Sequence, residues 1–452
     1  MTTRQRLVLV VSILASFVAF LDGSVVNVAL PAISRDLGGG LAVQQWVVDA
    51  YLIALGALIL IAGSLSDLLG RKRILTIGLI AFGIASILCA VAQSGLVLVL
   101  ARALQGVAGA LLVPSSLALI ISSFKGSAQS KAIGSWTAWT GISFIIGPLV
   151  GGFLVDAASW RWVFAINVLP IAITLWLLKL LDFPEQVRES TKIDLAGTVW
   201  CVLGLGGPVF ALIERPNYQW SQTIIWLPMA AGLVALAAFF WHETRTARPM
   251  LPLSLFTVRN FSFGNAATAT IYAGLSISGF VITIFLQQAE GYTAFAAGLA
   301  LLPVTVVMFL LSRRFGALAG KYGSRPFMTA GPLTAAIGFL LMLQVQPHLH
   351  YWIELFPGVL VFALGLSMTV APLTSAVLGD IDEHHAGVAS AVNNAVSRVA
   401  GLIAIALAGV ITGPYLTLAG FHRVLWVIAL LMAAGGLVSF IGIRRSVKTA
   451  TS

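Results

Sequence analysis

The chain has 452 residues, of which 59% are hydrophobic and only 9% are charged. Soluble globular chains carry about 25% charged residues, so this composition excludes a soluble protein with an ordinary surface. The formal net charge of +10 does not indicate a nucleic-acid partner, because the basic residues stand in short segments between apolar runs, where they act as signals of membrane topology.

An α-helix needs about 20 predominantly apolar residues to cross a bilayer. Fourteen such runs follow one another along the sequence, which predicts an all-α membrane protein with fourteen transmembrane helices. The first run is expected to be retained, because it is longer than the apolar part of a signal peptide. In chain order the runs cover 7–33, 44–66, 74–93, 96–120, 131–155, 161–181, 195–213, 222–241, 262–287, 294–316, 326–346, 351–376, 385–412 and 421–443.

The distribution of basic residues predicts the orientation. If the N-terminus lies in the cytoplasm, 20 of the 26 basic residues fall in cytoplasmic segments and only four in outer loops. Lys and Arg are normally in excess on the cytoplasmic side of a membrane protein. Both termini are therefore expected in the cytoplasm, which requires an even number of spans and agrees with fourteen.

An internal repeat divides the chain. The segment 63–72 follows the second run, and 316–325 follows the tenth run, with matching glycines, one matching leucine and one matching basic residue. This repeat predicts an N-terminal six-helix half at 1–182 and a C-terminal six-helix half at 259–452. The intervening segment, 183–258, is expected to hold two inserted helices that form a peripheral hairpin.

Charged residues inside the predicted spans are the best functional candidates. A charge at the middle of a transmembrane helix costs roughly 2.5–3.5 kcal/mol, so it normally faces the protein interior or a water-filled path. Four charges of this kind stand out: Asp22, Asp49, Arg102 and Arg398. At 1.5 Å per residue, the first three are predicted about 16, 7 and 9 Å from the outer ends of their helices. Arg398 is equally well explained by snorkelling to the interface.

Five segments carry a resemblance to a known family. The stretch 63–73 resembles the signature loop between helices 2 and 3 of the major facilitator superfamily. The stretches 21–31, 102–109, 147–152 and 160–167 resemble motifs of its fourteen-span drug:proton antiporters. The resemblance implies a major facilitator fold in a prokaryotic cytoplasmic membrane. It also implies export of lipophilic small molecules by a monomer, driven by the proton gradient with no other cofactor.

The resembled signature loop implies a conformational latch. In the family pattern the carboxylate at Asp67 caps a neighbouring helix and pairs with a basic residue. Gly320 stands at the equivalent position of the second copy, so a latch on one side only is expected. The basic residues of the loop are equally well explained as ordinary cytoplasmic anchors. The candidate latch residues are Gly63, Asp67, Gly70, Arg71 and Lys72.

Glycines form a stripe on the fifth predicted span. Gly134, Gly141 and Gly152 fall within about 20° of one another on a helical wheel, which makes a groove where another helix can approach closely. Plain helix packing explains such a groove, and only the resemblance associates it with export. The other members of this antiporter motif are Gly147, Pro148 and Gly151.

The intramembrane charges suggest how protons are coupled to transport. Burial disfavours an ionised carboxylate and a nearby arginine favours it, so a carboxylate held between the two can change its protonation state. Asp22 is therefore predicted to be the main proton carrier, with Arg102 tuning it and Asp49 as an accessory or substrate-facing carboxylate. The alternative is a static ion pair. Candidate residues of the substrate cavity, for which simple packing is the alternative, are Tyr51, Trp136, Trp139, Tyr272 and Asn393.

Other activities are disfavoured. No Gly-rich loop ends in Lys-Ser or Lys-Thr, so no ATP-driven engine is indicated. The acidic and histidine-containing segment 380–385 is expected to be a solvated loop, and no metal site is predicted. Cys89 and Cys201 lie inside apolar runs, so no disulfide framework is expected. The remaining alternatives are an exporter dedicated to one substrate, such as a self-made antibiotic or a lipid, a membrane enzyme, and a sensor that transports nothing.

Overall fold

The computed structural model describes residues 1–183, 194–246, 249–381, 386–413 and 415–444. Within these ranges the chain is helical and has no β-strand. Fourteen of the described helices are long and apolar enough to cross a membrane, which confirms the predicted fold class and number of spans.

These fourteen helices overlap all of the predicted runs. Many extend beyond the apolar run, because a helix can continue past the apolar core of a bilayer. They are α1 (Thr3–Leu37), α2 (Gly40–Leu69), α3 (Arg71–Ala90), α4 (Gly95–Ser123), α5 (Gly126–Ala157), α6 (Trp162–Leu180), α7 (Leu195–Glu214), α8 (Thr223–Arg245), α9 (Arg259–Gln288), α10 (Ala294–Tyr322), α11 (Ser324–Leu341), α12 (Phe356–Gly379), α13 (Ala386–Thr412) and α14 (Leu418–Gly442).

Two helices are less regular than the sequence predicts. Helix α6 is interrupted at Ile166 and Asn167, so that a short first turn precedes the main part of the helix. Helix α12 is preceded by a wider π-helical turn at Tyr351–Leu355. Asn167, which lies in the interruption of α6, donates a hydrogen bond from its side chain to Asp22 on α1.

The chain forms two compact units. The first contains Met1–Met250 together with Thr293–Gly298, and the second contains Leu251–Tyr292 and Leu299–Ser452. The apolar core of the first unit lies where α1, α3, α4 and α6 meet, and includes the buried side chains of Val18, Phe82, Leu112 and Ile171.

The second unit is held by close helix packing. The rings of Phe285 on α9 and Phe421 on α14 are stacked with their centroids 3.9 Å apart. Helices α11 and α12 touch at glycines, and a Cβ atom added to Gly338 would lie 2.5 Å from the backbone nitrogen of Phe362. Small residues at such crossings are typical of membrane proteins, since they let helix backbones approach closely.

The two copies of the internal repeat contain turns of the same kind. Gly70 joins α2 to α3 with φ +97°, and Gly323 joins α10 to α11 with φ +90°. Both values lie in the left-handed region, where glycine alone is free of strain from a Cβ atom. The two matching glycines of the repeat therefore make the same kind of turn, one in each unit.

The matching basic residues of the repeat also make equivalent contacts. Lys72 Nζ donates a hydrogen bond of 2.6 Å to the carbonyl oxygen of Leu181, just after the end of α6. Arg325 Nε donates one of 2.9 Å to the carbonyl oxygen of Phe440, near the end of α14. Each cation holds the C-terminal end of the sixth helix of its own half, where free carbonyl groups attract positive charge.

The inserted helices α7 and α8 form a tightly packed hairpin within the first unit. A Cβ atom added to Gly207 would collide with the carbonyl oxygen of Pro228. The hairpin is attached to α2, because Trp46 Nε1 donates a 2.8 Å hydrogen bond to Glu214 Oε1 and the rings of Trp46 and Phe210 lie 5.9 Å apart. The division of the chain at 182 and 258 stays a prediction.

Candidate functional site

A buried ion pair joins α1 to α4. Arg102 Nη1 lies 2.5 Å from Asp22 Oδ2, and both residues are at most 1% exposed. The two residues that the sequence singles out as a proton-coupling pair are therefore in direct contact.

Two amides complete the surroundings of the carboxylate. Asp22 Oδ1 accepts hydrogen bonds of 2.9 Å from Gln105 Nε2 and from Asn167 Nδ2. Gln105 in turn accepts a 2.7 Å bond from Arg102 and donates a 2.9 Å bond to Ser86 Oγ on α3. Asp22 thus accepts three N–H groups, one on Oδ2 and two on Oδ1. The network formed by Asp22, Ser86, Arg102, Gln105 and Asn167, called here the Asp22 network, links α1, α3, α4 and α6.

The arginine is fixed on its other sides as well. Arg102 Nε donates a 2.9 Å hydrogen bond to the carbonyl oxygen of Val47 on α2. Its guanidinium carbon lies 4.4 Å from the ring centroid of Tyr51 and 5.7 Å from that of Phe164, within the range of cation–π attraction. Gly106 makes room for this packing, because a Cβ atom there would collide with the backbone of Tyr51.

Asp49 on α2 has entirely different surroundings. It is fully buried, and neither carboxylate oxygen has a hydrogen-bond partner among the residues that the structure describes. The side chain of Gln44, which precedes Asp49 on the same helix, is likewise buried without a partner in the described part of the chain. An isolated buried charge costs several kcal/mol, and the described surroundings of Asp49 offer an ionised carboxylate nothing that would offset this cost.

The candidate latch is described in part. Gly70 makes the turn, Arg71 Nη1 donates a 3.2 Å hydrogen bond to the carbonyl oxygen of Ala118 near the end of α4, and Lys72 holds the end of α6. A Cβ atom at Gly63 would have no atom of the described chain within 4 Å. The side chain of Asp67 lies outside the described residues, so the latch stays a prediction.

The glycines of α5 divide into two groups. Gly147 faces Ser24 of α1, and Gly151 faces Val25, where added Cβ atoms would collide with α1. Pro148 lies between them inside the helix. At Gly134 and Gly141, by contrast, no atom of the described chain lies within 4 Å of an added Cβ atom.

Gly152 has a different neighbour from the rest of the stripe. An added Cβ atom there would lie 2.5 Å from the Cα atom of Phe295, in the part of α10 that belongs to the first unit. The predicted stripe is thus in close contact at Gly152 alone, and its role in export stays a prediction.

The aromatic and polar cavity candidates fall in both units. Trp136 Nε1 donates a 3.0 Å hydrogen bond to Ser16 Oγ, whereas Trp139 is 56% exposed. Tyr51 packs on Arg102, as described above. Tyr272 lies on α9, and Asn393 Nδ2 donates to Asn265 Oδ1 at 3.0 Å and to Thr268 Oγ1 at 2.9 Å, both also on α9. A common cavity stays a prediction.

Sequence reasoning missed three members of the site. Gln105 and Asn167 lie within the segments 102–109 and 160–167, and an amide in an otherwise apolar run was the available signal. Ser86 had no such signal, because serine is common in transmembrane helices, where it can bond to its own backbone. Within the described residues no group of three or more His, Cys, Asp or Glu side chains is arranged to hold a metal ion, and 382–385 lie outside them.

Comparison with known proteins agrees with this architecture. The family model described as Major Facilitator Superfamily matches residues 12–405. "Multidrug resistance protein Stp" of Mycobacterium tuberculosis is 34% identical over 421 residues, covering 92% of this chain and 78% of that protein. "Methylenomycin A resistance protein" of Bacillus subtilis is 31% identical over 406 residues, covering 89% and 87%. The "Probable actinorhodin transporter" of Streptomyces coelicolor is 34% identical over 408 residues, covering 87% and 70%.

Solved structures share the fold at low sequence identity. A structure described as a D-xylose-proton symporter has a TM-score of 0.69 at 16% identity and covers 97% of this chain and 98% of its own. A bacterial homologue of the lysosomal transporter Spinster has a TM-score of 0.69 at 15% identity, covering 98% and 97%. The family match, the relatives and the fourteen-helix fold lead to one conclusion: this chain belongs to the major facilitator superfamily of membrane transporters.

Proposed function

We propose that this protein exports lipophilic small molecules across the cytoplasmic membrane of a bacterium in exchange for protons. Both termini would lie in the cytoplasm, and the monomer would work by alternating access of its substrate site to the two sides of the membrane. The observation that carries export is that relatives with 31–34% identity are named for multidrug resistance, methylenomycin A resistance and actinorhodin transport.

The buried carboxylates of Asp22 and Asp49 on α1 and α2 support proton coupling. Intramembrane carboxylates often mark proton relays. Asp22 accepts three N–H groups, and its ionised form is already compensated by Arg102. Asp49 is equally buried but has no partner within the described residues. We therefore assign the exchangeable proton to Asp49, and to Asp22 and Arg102 the role of a fixed ion pair that joins the helices around it.

The proposed exchange works through the state of Asp49. Water or a cationic group of the substrate that reaches this carboxyl would stabilise its ionised form and release the proton. Closure of the site would bury the group again and require that a proton be taken up. Asp22 remains the alternative carrier, and the two assignments differ in which single substitution abolishes proton release.

The proton gradient is sufficient for such a pump. One proton that moves through 100 mV releases about 2.3 kcal/mol, and one pH unit adds about 1.4 kcal/mol. Together these would support a substrate gradient of several hundred-fold, since each 1.4 kcal/mol corresponds to a factor of ten.

An efflux assay tests this function directly. Cells that lack other drug pumps would express the wild type or Asp49→Asn and be loaded with a panel of fluorescent lipophilic dyes and drugs. We expect energy-dependent efflux from wild-type cells, loss of efflux when an uncoupler collapses the proton gradient, and loss in the Asp49→Asn cells at equal expression. Efflux that continues after the gradient has collapsed would contradict proton coupling.

An exporter of one physiological substrate is the second candidate. It is favoured by relatives named for single antibiotics, such as methylenomycin A and actinorhodin. The same panel of dyes and drugs distinguishes the two functions, because an exporter of one substrate would leave nearly all compounds of the panel inside the cells.

A further inference from the structure

A pocket at the end of α3 lies apart from the Asp22 network. Its volume is about 550 Å³, and it is lined by Lys72, Arg73, Thr76, Ile77 and Phe183. The lining combines two cations and a hydroxyl group with two apolar walls, and it includes no carboxylate within the described residues. This combination suits a ligand that has both an anionic group and an apolar part.

The pocket continues the lipid-facing surface of α3. Ile77, Ile80 and Ile84 are about half exposed and recur at intervals of three and four residues, which places them on one face of the helix. In a transmembrane helix such a face meets lipid. Arg73 is exposed and lies one turn before Ile77, so it falls on the same face where the apolar stripe ends.

Helix α6 contributes a second lipid-facing stripe beside the first. Leu169, Ile173, Trp176 and Leu180 are exposed along one face of α6, which packs against α3. Trp176 lies about one turn from the end of this helix, and tryptophan is enriched at the level of the lipid headgroups. The pocket therefore lies where the two stripes end, at the depth expected for headgroups.

Further positive charge surrounds the pocket. Lys72 donates one hydrogen bond to Leu181, which leaves two of its three N–H groups without a partner in the described part of the chain. The guanidinium of Arg4 lies 5.3 Å from the ring centroid of Phe183, and Lys179 is exposed on the last turn of α6. Asp182, beside Phe183, is the one acid among these neighbouring described residues, so the local balance is positive.

We propose that this pocket binds the phosphodiester headgroup of an anionic phospholipid in the adjoining leaflet. Lys72 and Arg73 would contact the phosphate, while Ile77 and Phe183 would pack against the glycerol and the first acyl carbons. Basic pockets between transmembrane helices are known to bind such headgroups. A soluble phosphate has the same charge but would leave the apolar walls unused. The proposal requires a membrane protein but neither proton coupling nor export.

Native mass spectrometry of the purified full chain tests this proposal. The protein would be titrated in detergent with phosphatidylglycerol or phosphatidylcholine, and the retained lipid counted. We expect tight retention of phosphatidylglycerol by the wild type and an affinity about 25-fold lower in the Lys72→Gln/Arg73→Gln variant, since each cation near a membrane surface contributes about fivefold. Retention of both lipids to the same extent by the wild type would overturn the proposal.

Matched variants distinguish the effect of removing positive charge from the effect of disturbing the fold. Arg314→Gln/Lys321→Gln removes two exposed cations from α10 and should retain phosphatidylglycerol as the wild type does. Lys72→Arg/Arg73→Lys keeps both charges and should also retain it. Equal affinity in the wild type and Lys72→Gln/Arg73→Gln would contradict the proposed site. Displacement of the lipid by excess inorganic phosphate would show instead that the pocket takes a soluble anion.

Discussion

Arg102 Nη1 lies 2.5 Å from Asp22 Oδ2, and neither side chain reaches the surface of the protein. Three N–H groups converge on this carboxylate, whereas Asp49, in the same unit and equally buried, has none within the described residues. Asp22→Asn should therefore destabilise the fold, whereas Asp49→Asn should not.

Removal of the charge on Asp22 should destabilise the protein strongly. In Asp22→Asn the guanidinium of Arg102 stays buried without its counter-ion, and loss of one partner from a buried pair costs about 3–5 kcal/mol. Thermal unfolding in detergent measures this loss. Asp36→Asn is the matched control, because Asp36 pairs with Arg161 at 2.6 Å with both side chains partly exposed, and solvent screens such a pair. Equal destabilisation by the two substitutions would contradict the expected fixed role of Asp22.

Asn167 should matter because it donates to Asp22 from the interruption in α6. Asn167→Ala leaves one carboxylate oxygen with a single donor, Gln105, and should lower the free energy of unfolding by about 1–3 kcal/mol. Efflux should fall with it, since the ion pair is held less firmly. Asn217→Ala, in the exposed loop between α7 and α8, removes an amide that bonds Glu214 and should change neither quantity measurably. If Asn167→Ala changed neither the free energy of unfolding nor efflux, Asn167 would not be part of the site.

Two neighbouring glycines on α7 offer a sharp test of the inserted hairpin. Gly207→Ala would push a methyl group into the backbone of α8 at Pro228, whereas the methyl group of Gly206→Ala would have no atom of the described chain within 4 Å. We expect Gly207→Ala to separate the hairpin, which hydrogen–deuterium exchange would detect as loss of protection in α7 and α8. Gly206→Ala should be neutral or stabilising by up to about 1 kcal/mol, because alanine favours a helix. Unchanged exchange in Gly207→Ala would mean that the two helices pack differently.

The orientation can be tested at the loop between α7 and α8. Cys89 and Cys201 are buried, so a new cysteine at an exposed position should be labelled above a low background. We expect Asn217→Cys to react with a membrane-impermeant maleimide in intact cells. Lys125→Cys, between α4 and α5, should react only after the cells are opened. The reverse pattern would contradict the proposed cytoplasmic termini.

The sequence predicted the spans well because the bilayer imposes one dominant requirement, namely runs of apolar residues with an internally bonded backbone. It also predicted that Asp22 and Arg102 belong together, since both were expected in the outer half of the first six-helix unit. The amide donors were harder to predict, because their contacts depend on how α3, α4 and α6 are rotated about their axes. The contrast between Asp22 and Asp49 needed coordinates, since it depends on hydrogen-bond partners that the sequence does not specify.

We propose that the coupling of drug export to protons depends on the carboxyl group of Asp49. Asn has nearly the shape of a carboxyl group, and Asp49 makes no described hydrogen bond that the substitution would break, so the free energy of unfolding of Asp49→Asn should stay close to that of the wild type. The variant can therefore be purified and compared directly with the wild type, which separates a defect in coupling from a defect in folding.

Coupling through Asp49 is tested by measuring proton release when a transported drug is added. The release is followed with a pH indicator in weakly buffered solution. We expect release from the wild type and none from Asp49→Asn, although the variant still binds the drug. Asp22→Asn, to the extent that it folds, should still release protons. Undiminished proton release from Asp49→Asn, together with uphill export by this variant in vesicles, would contradict proton coupling through Asp49. Asp22 would then be the leading candidate for the proton carrier.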